Sequence, residues 1–206
     1  MTGPPLFPPE LTTDRRSLVR LGPDTVRPQT LYDYRNSVGN ASADPYAYAD
    51  DAPPETVWAA SDALEAARTR REQRDGVEYL ATTESASEPL TDPTAIVGSV
   101  DLTTEWDRRT ARIRVTVSES ERRTGLGTEL ADSAISVAFD RLGLDVALLD
   151  HAVGNDAGRG FVESLVERYG GQRDCLLRNW RPTGESVLDV ERYAVTAEQF
   201  REASVE

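Results

Sequence analysis

Apolar and polar positions along the chain follow two rhythms that meet near its middle. The stretch Ala111-Arg112-Ile113-Arg114-Val115-Thr116-Val117 is apolar at every second position, the period of a strand with one buried face. A few residues later, Leu126, Leu130, Ala134, Val137, Ala138 and Leu142 recur at helical spacing. Val146 to Ala152 follows, apolar almost throughout and bounded by Gly143 and Gly154. It reads as a buried strand. A helix connects it to the strand at 110–117, so the two run parallel.

The rest of the chain fits around that unit. Arg16 to Leu21 alternates weakly and predicts a first strand, and Pro23-Asp24 opens a helix with Val26, Leu31 and Tyr34 as apolar contacts. Residues 36–54, rich in Asn, Asp, Pro, Ala and Tyr, read as a long loop, a feature that is often functional in compact domains. Glu55 to Arg74 reads as a helix, with Trp58, Leu64 and Ala67 toward the core. Val77 to Thr82 and Ala95 to Leu102 are strands around a polar loop, and Thr103 to Arg109 turns the chain into the strand at 110–117. Asp156 to Tyr169 is a helix closed by Gly170-Gly171. Cys175 to Trp180 and Val187 to Val195 form a closing antiparallel pair, and Thr196 caps a short helix carrying Phe200. The order is that of one mixed α/β domain over 13–206, preceded by a Pro-rich extension at 1–12.

The turn between the alternating strand and the helix is Arg122-Arg123-Thr124-Gly125-Leu126-Gly127-Thr128. A turn entering a helix gathers unpaired N–H groups and the positive end of the helix dipole. Such a place suits an anion, commonly phosphate. Gly125 and Gly127 would let a ligand approach the backbone, and Arg122 and Arg123 add charge and donors. An ordinary turn with two solvated arginines would carry the same residues. The spacing fits neither G-x-x-x-x-G-K-[ST] nor G-x-G-x-x-G.

The spacing does fit R-x-x-G-x-G, and other segments accompany it in order. They are Thr13-Asp14-Arg15 with Leu18-Val19-Arg20, Gly127-Thr128-Glu129-Leu130, Ala138-Phe139-Asp140-Arg141-Leu142-Gly143-Leu144, and Asn155. Leu177-Arg178, Gly184, Asp189 and Tyr193-Ala194-Val195 complete the series. Together they resemble the GNAT superfamily of acyl-CoA-dependent N-acetyltransferases, in its RimJ/RimL branch, which acetylates N-termini of ribosomal proteins. The resemblance implies a single-domain α/β GNAT acyltransferase fold, its mixed central sheet splayed between two parallel strands and flanked by helices. It implies acetyl-CoA as cosubstrate, with backbone contacts from Val115, Thr116 and Val117. Arg122, Arg123, Thr124, Gly125, Leu126, Gly127 and Thr128 would hold the pyrophosphate, and Asn155 would bond the pantetheine arm. An amine would attack the thioester directly, a backbone N–H would stabilise the oxyanion, and no metal would be needed.

The amine must lose a proton. Asp174, in Asp174-Cys175-Leu176-Leu177-Arg178, stands where the branch has a Glu and would act through a water, or else is a solvated acid on an edge strand. Gly158 stands where the branch has a Ser, and Val162 where many members have a Tyr; Tyr169 reaches the thiol only if an insertion rotates its helix. His151 ends the strand beside the thioester and is either a proton carrier or a structural residue. Tyr32, Tyr34, Tyr46 and Tyr48 either contact the acceptor or anchor the long loop. The implied activity is acetyl transfer to a protein amine, an N-terminal α-amino group or a Lys side chain. The alternatives are a small amine acceptor and a non-catalytic acyl-CoA-binding module. Several members of the superfamily dimerise through terminal strands, so a homodimer is compatible with the resemblance.

Composition narrows the partners. The 206 residues carry 23 basic and 36 acidic side chains for a net charge of −13, and every basic residue is Arg. Abundant carboxylates without Lys resemble a protein of a salt-rich cytoplasm, where such a surface stays hydrated; an acidic protein from a GC-rich genome shares the trait. The charge disfavours nucleic acid and anionic membranes as partners. A single Cys175 and a single His exclude an internal disulfide and a His/Cys zinc site. No apolar run is long enough to span a membrane. Met1-Thr2-Gly3-Pro4-Pro5 lacks the regions of a signal peptide, so a cytoplasmic location is expected.

Overall fold

The computed structural model describes residues 5–38, 46, 52–83, 89–183 and 186–204. Strands β1 (Glu10–Thr12), β2 (Ser17–Arg20), β3 (Gly76–Thr82), β4 (Ile96–Glu105), β5 (Thr110–Val117), β6 (Val146–Ala152), β7 (Gln172–Pro182) and β8 (Val187–Thr196) form one sheet. Their spatial order is β1-β2-β3-β4-β5-β6-β8-β7. Only β5 and β6 are parallel. Helices α1 (Pro28–Val38) and α2 (Val57–Glu72) cover one face of the N-terminal strands. Helices α3 (Leu126–Ser136), α4 (Asp156–Arg168) and α5 (Ala197–Ala203) cover the other face.

Alternation explains the two cores. On β2, Val19 packs under α1 and α2 while its neighbour Leu18 joins the core below α3. On β3, Leu80 faces the first core and Tyr79 and Ala81 the second. Leu126, Leu130, Ala134 and Ile135 bury the inner stripe of α3. On α2 the buried pair is Ala60 and Leu64, whereas Trp58 is 83% exposed. Trp58 precedes Ala60 by two positions, and positions two apart on a helix do not share a face.

Four segments differ from the pattern-based expectation. The α1 helix begins at Pro28, not at Pro23-Asp24. Val26 is drawn instead into a parallel bridge with Leu90, and Pro28 then opens the helix where its missing N–H costs nothing. Within the Pro-rich N-terminus, Phe7 is buried and Glu10–Thr12 pair with β2. The Tyr79 hydroxyl donates to the Pro8 carbonyl there, at 3.1 Å. The helix after the glycine turn ends in one wide turn, Val137–Arg141, in which Leu142 N–H donates to the Val137 carbonyl at 3.1 Å. The β7 strand begins at Gln172, and a bulge separates Arg173 from Cys175.

The feature that positions the site is a fork. β5 and β6 pair only from Thr110↔Val146 to Ile113↔Leu149. Beyond that point β5 stays with β4 as far as Val117↔Gly98, and β6 stays with β8 as far as Ala152↔Val190. The two strands therefore part at their C-terminal ends, beside the entrances to α3 and α4.

Candidate active site

The chain leaves β5 through a short 3-10 turn, Glu119–Glu121, and reaches α3 by way of Arg122 to Gly125. Arg123 (φ +63°) and Gly125 (φ +89°) both adopt the left-handed conformation. For Arg123 that conformation costs about 1–3 kcal/mol, a strain of the kind that ligand-binding turns hold. Among the described residues, the N–H groups of Arg123, Gly125, Gly127 and Thr128 find no acceptor. Arg122, Arg123, Thr124 and Gly125 are exposed, and Leu126 anchors the helix in the core. Exposed donors, a helix N-terminus and two arginines together make a donor set of the kind that suits an anion. A Cβ at Gly127 would lie in van der Waals contact with Phe161 of α4, at 3.4 Å.

The wall of the fork follows from strand alternation. Ser118 N–H donates to the Val97 carbonyl, so the groups of Thr116 also turn toward β4. The carbonyls and N–H groups of Val115 and Val117 then point the other way, into the opening. Of the three residues expected to offer backbone there, Val115 and Val117 do so and Thr116 does not. Across the opening, Asn155 caps α4 by accepting from Gly158 N–H at 2.9 Å. Its amide NH2 remains free to donate. A Cβ on Gly158 would meet that amide nitrogen at 2.9 Å, so a larger residue here would shift the Asn155 side chain.

Past the last pair, each strand turns alternate side chains to opposite faces. On the face of α1 and α2, Asp150 pairs side-on with Arg192 of β8, at 2.8 and 2.7 Å. Hydrogen bonding and charge from Asp150 raise the Arg192 pKa further above its ordinary value, against the effect of burial. Trp180 packs over the same guanidinium at 5.4 Å. On the face of α3 and α4, His151 is buried, with Nδ1 3.1 Å from the Ala152 carbonyl and Nε2 3.4 Å from Glu191. His151 thus flanks the fork, turned toward β8.

The other two expected proton carriers lie elsewhere. Asp174 is exposed at the β7 bulge, on the edge strand. Two strand spacings, about 10 Å, separate its strand from β6. Tyr169 caps the C-terminus of α4, and the length of that helix puts it about 20 Å from Asn155. Its hydroxyl donates to Asp132 at 2.7 Å, and its ring packs on Phe200. Burial, with the bond to Asp132, pushes its pKa up to about 12. The helix carries Tyr169 away from the fork, so the rotation that would bring it to a thiol is not observed.

The four tyrosines in and before the long loop divide as well. Tyr34 is a core residue, 2% exposed, and Tyr32 packs beside it. Tyr46 reaches the head of α4, its hydroxyl donating to the Gly154 carbonyl at 2.7 Å. Tyr48 and Gly184 lie outside the described residues. Pattern reading missed Asp150, Arg192 and Trp180. The available signal was a charged Asp150 inside the apolar run Val146 to Ala152.

A profile of the Acetyltransferase (GNAT) family matches residues 44–165. No curated protein matches the chain by sequence. Among solved structures, the chain is similar to a chimera of the Vibrio cholerae spermidine N-acetyltransferase SpeG with hSSAT. That match has a TM-score of 0.65 at 17% identity and covers 92% of this chain and 99% of the other. It is also similar to the microcin C7 self-immunity acetyltransferase MccE in complex with acetyl-CoA and AMP. Here the TM-score is 0.73 at 14% identity, covering 93% of this chain and 98% of the other. At these identities the likeness is one of fold. With the profile spanning more than half of the chain, and the forked parallel pair already in view, the chain belongs to the GNAT family of acetyltransferases.

Proposed function

We propose that the chain transfers the acetyl group of acetyl-CoA to a small cationic amine by direct attack in the fork between β5 and β6. The observation that carries the reading is the fork itself, opening beside unpaired N–H groups at the head of α3. In this reading Arg122 to Thr128 hold the pyrophosphate, and Val115 and Val117 pair with the pantetheine arm. Asn155 donates to that arm from the other side. Acetyl-CoA supplies the activated carbonyl. The protein orients the two reactants, which is worth a large part of a bimolecular barrier. His151, set against Glu191, is a titratable group on the α3 side of the opening, and Asp150 is one on the other. Proton removal from the amine is assigned to this pair of positions rather than to Asp174 or Tyr169.

Two observations favour a small cationic acceptor. The net charge of −13 draws cations, and the SpeG structures that share the fold are spermidine N-acetyltransferases. A protein amine is the second reading, favoured by the RimJ/RimL-like segments of the sequence. The same segments, with the Lys-free acidic composition, support a RimJ/RimL-like protein of a salt-rich cytoplasm.

The test is thermal unfolding in KCl with acetyl-CoA, CoA and ATP, then thiol release with spermidine, amino acids and N-terminal peptides. Ligand at 100 times its Kd adds about 2.7 kcal/mol, a rise of roughly 5–11 °C for a chain of this size. Gly125→Asp should abolish the rise, since Asp tolerates the left-handed conformation but sets a carboxylate against the phosphates. Spermidine turnover would establish the acceptor class, and turnover with peptides alone would move it to protein. No stabilisation by either acyl-CoA or CoA would sink the acetyltransferase reading.

A further inference from the structure

We propose that Arg15 is a phosphate-binding residue of the acetyl-CoA site, delivered by the turn between β1 and β2 and aimed by Glu129. The inference rests on the function proposed above. It starts from a convergence in the first turn of α3. The Thr13 hydroxyl donates to Glu129, and Arg15 Nε and Nη2 meet the same carboxylate at 2.8 and 2.7 Å. The turn is itself tied, with Arg16 N–H donating to the Thr13 hydroxyl at 2.9 Å and Thr13 N–H to the Arg16 carbonyl at 2.9 Å. Burial works to raise the Glu129 carboxyl, but the Thr13 and Arg15 donors outweigh it and hold it below its ordinary value. Glu129 is therefore a fixed anchor for the guanidinium.

Arg15 is also bound to the phosphate cradle. Its Nη1 donates to the Thr124 carbonyl at 3.0 Å. That carbonyl belongs to the loop that would face an anion, and Arg15 covers it. Nη2 stands 3.5 Å from the point where a Cβ on Gly125 would be, against the open side of the glycine. A guanidinium has five N–H donors. Nε donates to Glu129 and Nη1 to Thr124, and Nη2 is in ion-pair contact with Glu129, so donor capacity remains on both terminal nitrogens. The side chain is 46% exposed and lies beside the unpaired N–H groups of the loop, so the guanidinium is accessible to an anion there. A donor fork already immobilised loses little freedom when it binds a planar or tetrahedral oxyanion. A solvated ion pair would not need three elements of the fold to hold it. Phosphate is the ligand chemistry, and both the pyrophosphate and the ribose phosphate of acetyl-CoA supply it.

The experiment compares wild type, Arg15→Ala and Arg15→Lys for acetyl-CoA binding, thermal midpoint and steady-state kinetics, with dephospho-CoA as a second ligand. Arg15→Ala should weaken acetyl-CoA binding roughly 10–100-fold, raise its KM, and leave kcat and the amine KM near wild type. Arg15→Lys keeps Glu129 paired and should recover part of the affinity, as a point charge without the fork. If the ribose phosphate is the contact, Arg15→Ala binds CoA and dephospho-CoA alike; if the pyrophosphate is, both weaken together. Wild-type affinity in both variants would overturn the proposal. So would a loss in which midpoint and kcat fall while both KM values rise together, the mark of a purely structural brace. Failure of the wild type to bind any acyl-CoA would remove the proposed function instead, so the two failures are distinct.

Discussion

Tyr169 shows how a single residue's chemistry depends on where its element ends. A tyrosine near the thioester could protonate a leaving thiolate, but this one closes α4 and spends its hydroxyl on Asp132, beside Arg168. Tyr169→Phe should therefore leave kcat unchanged and cost about 1 kcal/mol, the net worth of one hydrogen bond. The pH dependence has a definite sign. The folded-state pKa is raised, from 10.0 to about 12, so the neutral hydroxyl stabilises the fold below pH 10. That contribution drains as pH rises through the folded value. Denaturant unfolding at pH 8 and pH 11.5 would show the gap between wild type and Tyr169→Phe closing at the higher pH. A variant that loses most of its turnover at pH 8 would return Tyr169 to the reaction.

At the scale of elements, the register of β6 against β8 brings Asp150 and Arg192 together beside the fork. Their side chains are 4% and 14% exposed, so removing one leaves a buried charge without its partner. Asp150→Ala should destabilise the chain by about 3–5 kcal/mol, whereas Asp150→Leu with Arg192→Met should restore much of the loss. If the double variant is stable and still binds acetyl-CoA but turns over no amine, the pair belongs to the acceptor side of the site; full turnover would make it structural only. None of this pairing was legible in the sequence, because partners 42 residues apart meet only through the register of β6 against β8. What was legible was local: the period of β5, the stripe of α3, and the glycine turn between them. The order of elements and the parallel β5–β6 pair followed from the same periodicities. The point where the strands part did not, since Arg114 and Asp150 continue the alternation of their strands with no change in residue type. The bulge at Asp174 was not legible either: it is set by the pairing of β7 with β8, and the spacing from Gly171 does not record it.

For the whole molecule the governing quantity is charge. A net −13 spread over a domain of this size repels itself, yet the sheet is also laced with ion pairs such as Arg70–Asp101 at 2.5 Å and Arg35–Glu78 at 2.5 Å. The two respond differently to salt. Exposed charges separated by more than the Debye length are screened, and that length shrinks from about 10 Å at 0.1 M to about 3 Å at 1 M. The pairs on the sheet are in contact and partly buried, so they persist while the long-range repulsion fades. The thermal midpoint should therefore rise between 0.1 and 2 M KCl, and a single-exchange series in which acidic surface residues are neutralised should flatten the rise. Acetyl-CoA binding should move the other way, because Arg122, Arg123 and the loop amides meet their anion in solvent, where salt competes. A midpoint that falls with KCl would mean that the exposed ion pairs outweigh the repulsion, and the acidic composition would then serve solubility rather than folding. A rising midpoint with an unchanged acetyl-CoA affinity would place the phosphate contacts deeper than the exposed cradle allows. Only the combination of a stiffer fold and a weaker cofactor grip at high salt agrees with both the charge of the chain and the geometry of its loop.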